Sequence, residues 1–164
     1  MMLKEGAAGG PDRASAARLF LRAIEGGELG EAAAEADALF NLGLLYLEGV
    51  EGLGPPHEAV RDPIGAAVAL FGRAADRGSA EAAHNLGVAH LKGAGGLARD
   101  PARALLWFAR AGTADAMYAA STVSPDPDQA REWLRRAARA GHAKAAARLA
   151  SQPAPAGERG RDEL

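Results

Sequence analysis

The sequence contains no cysteine. Disulfide bonds, thiolate metal sites and cysteine nucleophiles are therefore excluded, and the lack of cysteine fits a reducing compartment. Aromatic residues make up only 5% of the chain although hydrophobic residues make up 48%, because alanine and leucine supply most of the apolar surface. Such side chains favour closely packed helices. No stretch shows the β-branched alternation that is typical of strands.

A large net charge and long apolar runs are also missing. The formal net charge is −2, so bulk electrostatics gives no reason to expect a nucleic-acid partner. No apolar run approaches the length that crosses a membrane. Residues 1–11 are rich in glycine and alanine and lack the apolar centre of a signal peptide. We therefore predict a flexible leader at 1–11, no membrane insertion and a cytoplasmic location.

Residue types that support catalysis or metal binding do not form a familiar site. No His-Glu-x-x-His pair occurs, and His84 and His90 lie six positions apart, about 240° around a helix. No serine stands in Gly-x-Ser-x-Gly or begins Ser-x-x-Lys. The glycine-rich stretch 93–96 lacks the Gly-Lys-Ser/Thr ending of a phosphate loop. We predict no catalytic residues, no metal site and no cofactor.

A phrase that begins with Asp-Pro and ends with glycine occurs three times. Aspartate is a favoured N-cap and proline is tolerated at the first helical position, so each copy is predicted to start a helix. The starts are Asp62-Pro63, Asp100-Pro101 and Asp126-Pro127. A bulky residue in each copy is predicted to fill the space between helices: Leu70, Trp107 and Trp133. The predicted ends are Gly78, Gly112 and Gly141.

A second phrase, Ala-x-Ala-x-x-x-Leu-Gly, precedes the first two copies. It ends at Gly43 and again, 44 residues later, at Gly87. Alanine and glycine at helical spacing form a smooth strip that lets a neighbouring helix approach closely. That contact would offset the helix-propensity cost of roughly 1 kcal/mol per glycine. Gly49 and Gly93 follow at matched positions and are predicted to end these helices in the left-handed conformation.

Together the two phrases resemble the repeat of the Sel-one-like repeat (SLR) family, a relative of the tetratricopeptide repeats. The resemblance covers roughly residues 12–150. It implies an all-α fold, a right-handed α/α solenoid of about three helix-turn-helix repeats with a half repeat at each end. Each repeat of a solenoid buries its apolar surface against its neighbours. Residues 151–164 contain prolines and many charges and are predicted to be a disordered tail.

The copies are predicted to differ in length. The connection 50–61 of unit one is longer than the one in unit two, and three residues are missing before Gly112, so the second helix of unit two should be short. In unit three, Ser121 replaces the glycine and the turn after the first helix is missing, so this helix should be short and loosely held. Lone helices are expected at 17–27 and 142–150.

The SLR resemblance implies that the first helices line a concave face that binds a partner. We predict a non-enzymatic scaffold or adaptor that holds a protein or peptide segment there. The candidate contacts share matched positions of the first helices: Asn41, Asn85, Phe40, His84, Tyr118, Tyr46 and His90. The alternative is that these side chains pack in the core or hydrogen-bond between helices. Because three repeats are near the lower limit for stability, partner binding or self-association is expected to contribute.

Two other functions stay open. The sequence Arg161-Asp162-Glu163-Leu164 resembles an endoplasmic-reticulum retention signal. Since SLR relatives occur in ubiquitin-ligase membrane complexes, the first alternative is a quality-control subunit, located in the lumen if a signal peptide precedes this start site. The second is a hydrolase, because some SLR proteins have been described as β-lactam-binding or hydrolysing. No serine stands beside a lysine in the required way here.

Overall fold

The computed structural model describes residues 13–27, 30–48 and 62–151, and this part of the chain is helical without strands. The leader 1–11, Gly49, the connection 50–61 and the tail after 151 lie outside the described residues. The helices are α1 (Arg13–Glu25), α2 (Ala32–Leu47), α3 (Pro63–Asp76), α4 (Ala80–Lys92), α5 (Pro101–Ala111), α6 (Ala114–Val123), α7 (Pro127–Arg139) and α8 (Ala143–Ala150).

Each helix packs chiefly on the helices before and after it in the chain, and the closest packing joins the two helices of one unit. Units one, two and three are α2–α3, α4–α5 and α6–α7. The helix α1 is a lone second helix and α8 a lone first helix, so the predicted α/α solenoid with a half repeat at each end is confirmed. One core runs from α1 to α6, and a smaller cluster joins α7 to α8.

The second helix of every unit begins at its Asp-Pro pair, as predicted. Asp62 and Asp100 each accept a hydrogen bond from the backbone N–H three residues on, at 2.8 and 2.9 Å. Asp126 accepts one from the N–H of Asp128 at 3.0 Å. Proline stands in the first turn of all three helices. Each side-chain cap satisfies an amide that would otherwise lack a partner at the helix start.

The first helices also have a start signal, which was not identified from the sequence. Three times, a glycine with a φ between 64° and 97° is followed directly by the N-cap residue of the next helix. The cap atom is a hydroxyl oxygen or the imidazole Nδ1, and it accepts from the N–H three residues on. The pairs are Gly78-Ser79, Gly112-Thr113 and Gly141-His142. The glycine ends one helix in the left-handed conformation, and the cap begins the next.

The predicted differences in helix length between units are confirmed, with one correction. The helix α5 has 11 residues against 14 in α3 and 13 in α7. The helix α6 has 10 residues against 16 in α2 and 13 in α4. However, Ala116, Ala120 and Ser121 of α6 are buried against the flanking helices. The expectation that α6 would be loosely held is therefore wrong, because these three small side chains let α6 pack closely against its neighbouring helices.

Candidate partner-binding groove

Two glycines on the first helices allow the two helices of a unit to approach closely, as predicted. A Cβ atom at Gly43 would lie 2.7 Å from Cε1 of Phe71, and one at Gly87 would lie 2.5 Å from Cε1 of Phe108. The phenylalanine ring of the second helix therefore occupies the space of a first-helix side chain. This contact fixes which face of each first helix points away from the core.

The bulky residues predicted to fill the space between helices do so only in part. Leu70, Trp107 and Trp133 pack against the core but are not fully buried. In each unit the next residue is the buried one, with exposed fractions of 3% for Phe71, 0% for Phe108 and 2% for Leu134. A single sequence cannot tell which of two adjacent apolar residues faces inward when both are large.

The two tryptophans contact arginines on the outer surface. The guanidinium carbon of Arg110 lies 5.1 Å from the ring centroid of Trp107, and that of Arg136 lies 5.2 Å from Trp133. These are cation–π contacts at helical i, i+3 spacing. Arg110 also donates to the carbonyl of Ala75 at 2.8 Å, at the C-terminal end of α3. This arginine therefore joins the second helices of neighbouring units.

Phe40, His84 and Tyr118 occupy one matched position of the first helices. Their rings form a row, and each ring contacts a second ring. The ring centroids of Phe40 and Phe71 are 5.6 Å apart, and those of His84 and Phe108 are 5.5 Å apart. Tyr118 stacks on His142 with a centroid distance of 4.3 Å and an interplanar angle of 17°. All three first-helix rings are half-buried. They offer a rigid, partly apolar surface, since their inner faces are held by packing.

A cavity of about 310 Å³ lies along this row, between α2, α4 and the start of α6. This surface, the first-helix groove, is lined by Phe40, Glu81, His84, Asn85, Thr113 and Asp115. Three of the predicted contact residues, Phe40, His84 and Asn85, thus meet in one cavity. Asn41 is exposed on α2, and Tyr118 lies on α6 outside the cavity lining.

The acidic side of the groove was not identified from the sequence. Asp37, Glu81 and Asp115 stand at the same position of the three first helices, and all are exposed. Together α2, α4 and α6 carry four acidic residues and one lysine. The second helices α1, α3, α5 and α7 carry ten arginines and four acidic residues. The groove side is therefore negative and the opposite side positive.

The surroundings of His84 favour the neutral form of its imidazole. Burial lowers the pKa of its imidazole below the ordinary value, and the nearby Asp115 carboxylate opposes that effect. Its Nδ1 atom is buried and has no hydrogen-bond partner within the described part of the chain. Asp115 also lies 3.4 Å from Nε2 of His142. At neutral pH the charge in the groove therefore comes from carboxylates.

Two other predicted contact residues lie in the core. Tyr46 is 6% exposed and His90 is 8% exposed. Burial, with a smaller contribution from Glu25, raises the pKa of the Tyr46 hydroxyl. Nδ1 of His90 is buried without a hydrogen-bond partner among the described residues. These two side chains offer little surface to a partner. Their position matches the alternative prediction, which is packing in the core.

The described residues offer no group of three or more His, Cys, Asp or Glu side chains that could hold a metal ion. None of the described helices is both long and apolar enough to cross a membrane.

These features define a class of protein, an α/α solenoid whose first helices present a grooved, acidic surface. The model of the Sel1 repeat matches residues 1–28, 36–79, 80–115 and 114–142. The chain belongs to the Sel1 repeat family. Proteins with these repeats are generally scaffolds for protein interactions. No curated protein matches the sequence.

Two solved structures share the fold. A Sel1 repeat protein from Oxalobacter formigenes has a TM-score of 0.66 and 26% identity, covering 84% of this chain and 54% of that one. A protective antigen of uropathogenic Escherichia coli with an SLR fold has a TM-score of 0.66 and 28% identity, covering 84% of this chain and 28% of that one. The chain thus spans about half of the first structure and less than a third of the second.

Proposed function

We propose that this protein is a non-enzymatic scaffold that holds an extended segment of a partner protein in the first-helix groove, on the concave face of the solenoid. The observation that carries the proposal is the cavity where Phe40, His84 and Asn85 meet. A preformed surface of this kind captures a segment without ordering the scaffold first.

The asparagines would supply the polar contacts. Asn41 is exposed and Asn85 lines the groove, and neither amide hydrogen-bonds another residue within the described part of the chain. An asparagine side chain both donates and accepts, so it can pair with the backbone of an extended segment. Glu81 and Asp115 would favour a segment that carries lysine or arginine, since opposite charges raise specificity and association rate.

Affinity capture with quantitative mass spectrometry tests this function. The double variant Asn41→Ala/Asn85→Ala should lose the partners that the wild-type chain retains. The control is Leu19→Ala, which truncates an exposed side chain of the second helix α1, outside the groove. Equal recovery of every partner with the wild type and with the double variant would overturn the groove as the binding surface.

The endoplasmic-reticulum alternative depends on Arg161–Leu164, which lie outside the described residues. It stays a prediction and is tested separately from the groove. A chain tagged internally, with Leu164 free, should be found in the lumen if that tail is a working signal.

A further inference from the structure

The connection between the two helices of unit two covers part of unit one. Gly95, with a φ of +63°, lies so close to the start of α3 that a Cβ atom there would be 2.8 Å from Cγ2 of Val68 and 3.0 Å from the carbonyl oxygen of Ile64. The backbone of this connection therefore seals the first two turns of α3. Only a small residue fits at that contact.

Unit three has no such connection. Its first helix α6 ends at Val123, and the cap residue Asp126 of α7 follows after Ser124 and Pro125. The hydroxyl of Ser124 donates to Oε1 of Gln129 at 2.7 Å, which holds this short link against α7. The start of α5 corresponds to the start of α3, and it lacks an equivalent cover among the described residues.

The result is a mainly apolar cavity of about 600 Å³ over the start of α5, here called the unit-three gap. On the α5 side it is lined by the cap residue Asp100 and by Pro101, Ala102, Leu105 and Leu106, and on the other side by Val123, Pro125 and Gln129. Leu106 is 70% exposed. The volume of the unit-three gap falls within the range of ligand-binding clefts in proteins.

The last turn of α8 lies against the start of α7, which borders this gap. Arg148, in the last turn of α8, lines one cavity together with Pro127 and Asp128 of the first turn of α7. The unit-three gap involves Gln129 and Pro125, next to that same turn. A helix is about 10 Å across and an extended chain advances about 3.3 Å per residue. About three residues after Ser151 are therefore enough to pass the start of α7.

We propose that residues 153–157 of this chain, Pro-Ala-Pro-Ala-Gly, dock in the unit-three gap and replace the connection that unit three lacks. Proline-rich segments favour the extended polyproline conformation, and proline rings bind apolar grooves. Alanine and glycine allow the close backbone approach that Gly95 makes on α3. This proposal is independent of the first-helix groove and of any partner.

Paramagnetic relaxation enhancement on the full chain tests the proposal. Because the sequence has no cysteine, Ala156→Cys gives a single site for a nitroxide label. The methyl signals of Leu105, Leu106 and Val123 should lose most of their intensity, while those of Leu19 should keep it. A label at Ala33→Cys, on the exposed surface of α2, is the control and should spare the gap.

The substitution Leu106→Glu in the labelled chain should restore the signals of Leu105 and Val123, because a carboxylate is costly in an apolar contact. Leu106 is already exposed, so the fold should tolerate this change. Full intensity at the methyl groups of all three residues with the label at position 156 overturns the proposal. Attenuation seen only in mixtures of labelled and isotope-enriched chains also overturns it, because the occupant is then a second copy.

Discussion

At the scale of single residues, the two helices of a unit pack together through residues of complementary size. Gly43 and Gly87 face the rings of Phe71 and Phe108 without room for a Cβ atom. In unit three, the serine that replaces the glycine is Ser121, and the smaller Leu134 stands at the phenylalanine position. Both residues line one cavity. A larger residue on one helix is thus matched by a smaller one on the other.

Replacing Gly87 with alanine should destabilise the fold, although alanine is the better helix former. The propensity gain is up to about 1 kcal/mol, whereas overpacking a tight core costs about 1–3 kcal/mol. We expect a net loss in the free energy of unfolding measured with denaturant. Gly72→Ala in α3 is the control, because a Cβ there meets nothing within 4 Å and should stabilise. Stabilisation by both changes would contradict the proposed packing.

His84 should make stability depend on pH. The pKa of its folded form lies below the unfolded value of 6.5 because burial disfavours the charged ring. The unfolded chain therefore binds more protons. The free energy of unfolding should fall as the pH drops from above 6.5 towards the lower pKa of the folded form. His84→Phe, which copies Phe40 of unit one, should reduce this dependence. An identical pH dependence of the two proteins would rule out the assigned environment of His84.

At the scale of helices, the sequence predicts where a helix begins and ends better than it predicts which of its side chains face the core. The Asp-Pro pairs and Gly93 mark ends through backbone chemistry that is local in sequence, and the structure places them as predicted. Whether Trp107 or Phe108 is buried depends on the rotation of α5 against α4, which no local pattern determines. For the same reason Tyr46 and His90 were candidate partner contacts with core packing as the alternative, and the structure places both in the core.

The cap at Asp100 gives a prediction at this scale. Asp100→Ala removes the acceptor for the N–H of Arg103 and should cost about 1 kcal/mol of unfolding free energy. Asp100→Asn keeps an oxygen acceptor and should remain close to the wild type. The measurement is chemical denaturation of the three proteins at one pH. Equal losses for the two variants would show that charge, and not the hydrogen bond, stabilises the start of α5.

At the scale of the whole molecule, charge differs between the first helices of the three units and the second helices. Acidic residues predominate on α2, α4 and α6, and arginines predominate on α1, α3, α5 and α7. The repeat architecture could be predicted from the sequence because the same short sequence phrases recur along the chain. The shared position of Asp37, Glu81 and Asp115 could have been found in the same way once the first helices were aligned. That Glu81 and Asp115 meet Phe40 in one cavity required the structure.

Site-specific photo-crosslinking tests the central claim, capture of a partner segment by the first-helix groove, most directly. A photoreactive phenylalanine analogue would replace Phe40, which lines the groove, or Leu19, an exposed residue of the second helix α1. We expect one partner to be cross-linked from position 40 and not from position 19, and we expect Asn85→Ala to weaken this cross-link. A partner cross-linked from position 19 and not from position 40 would contradict the account.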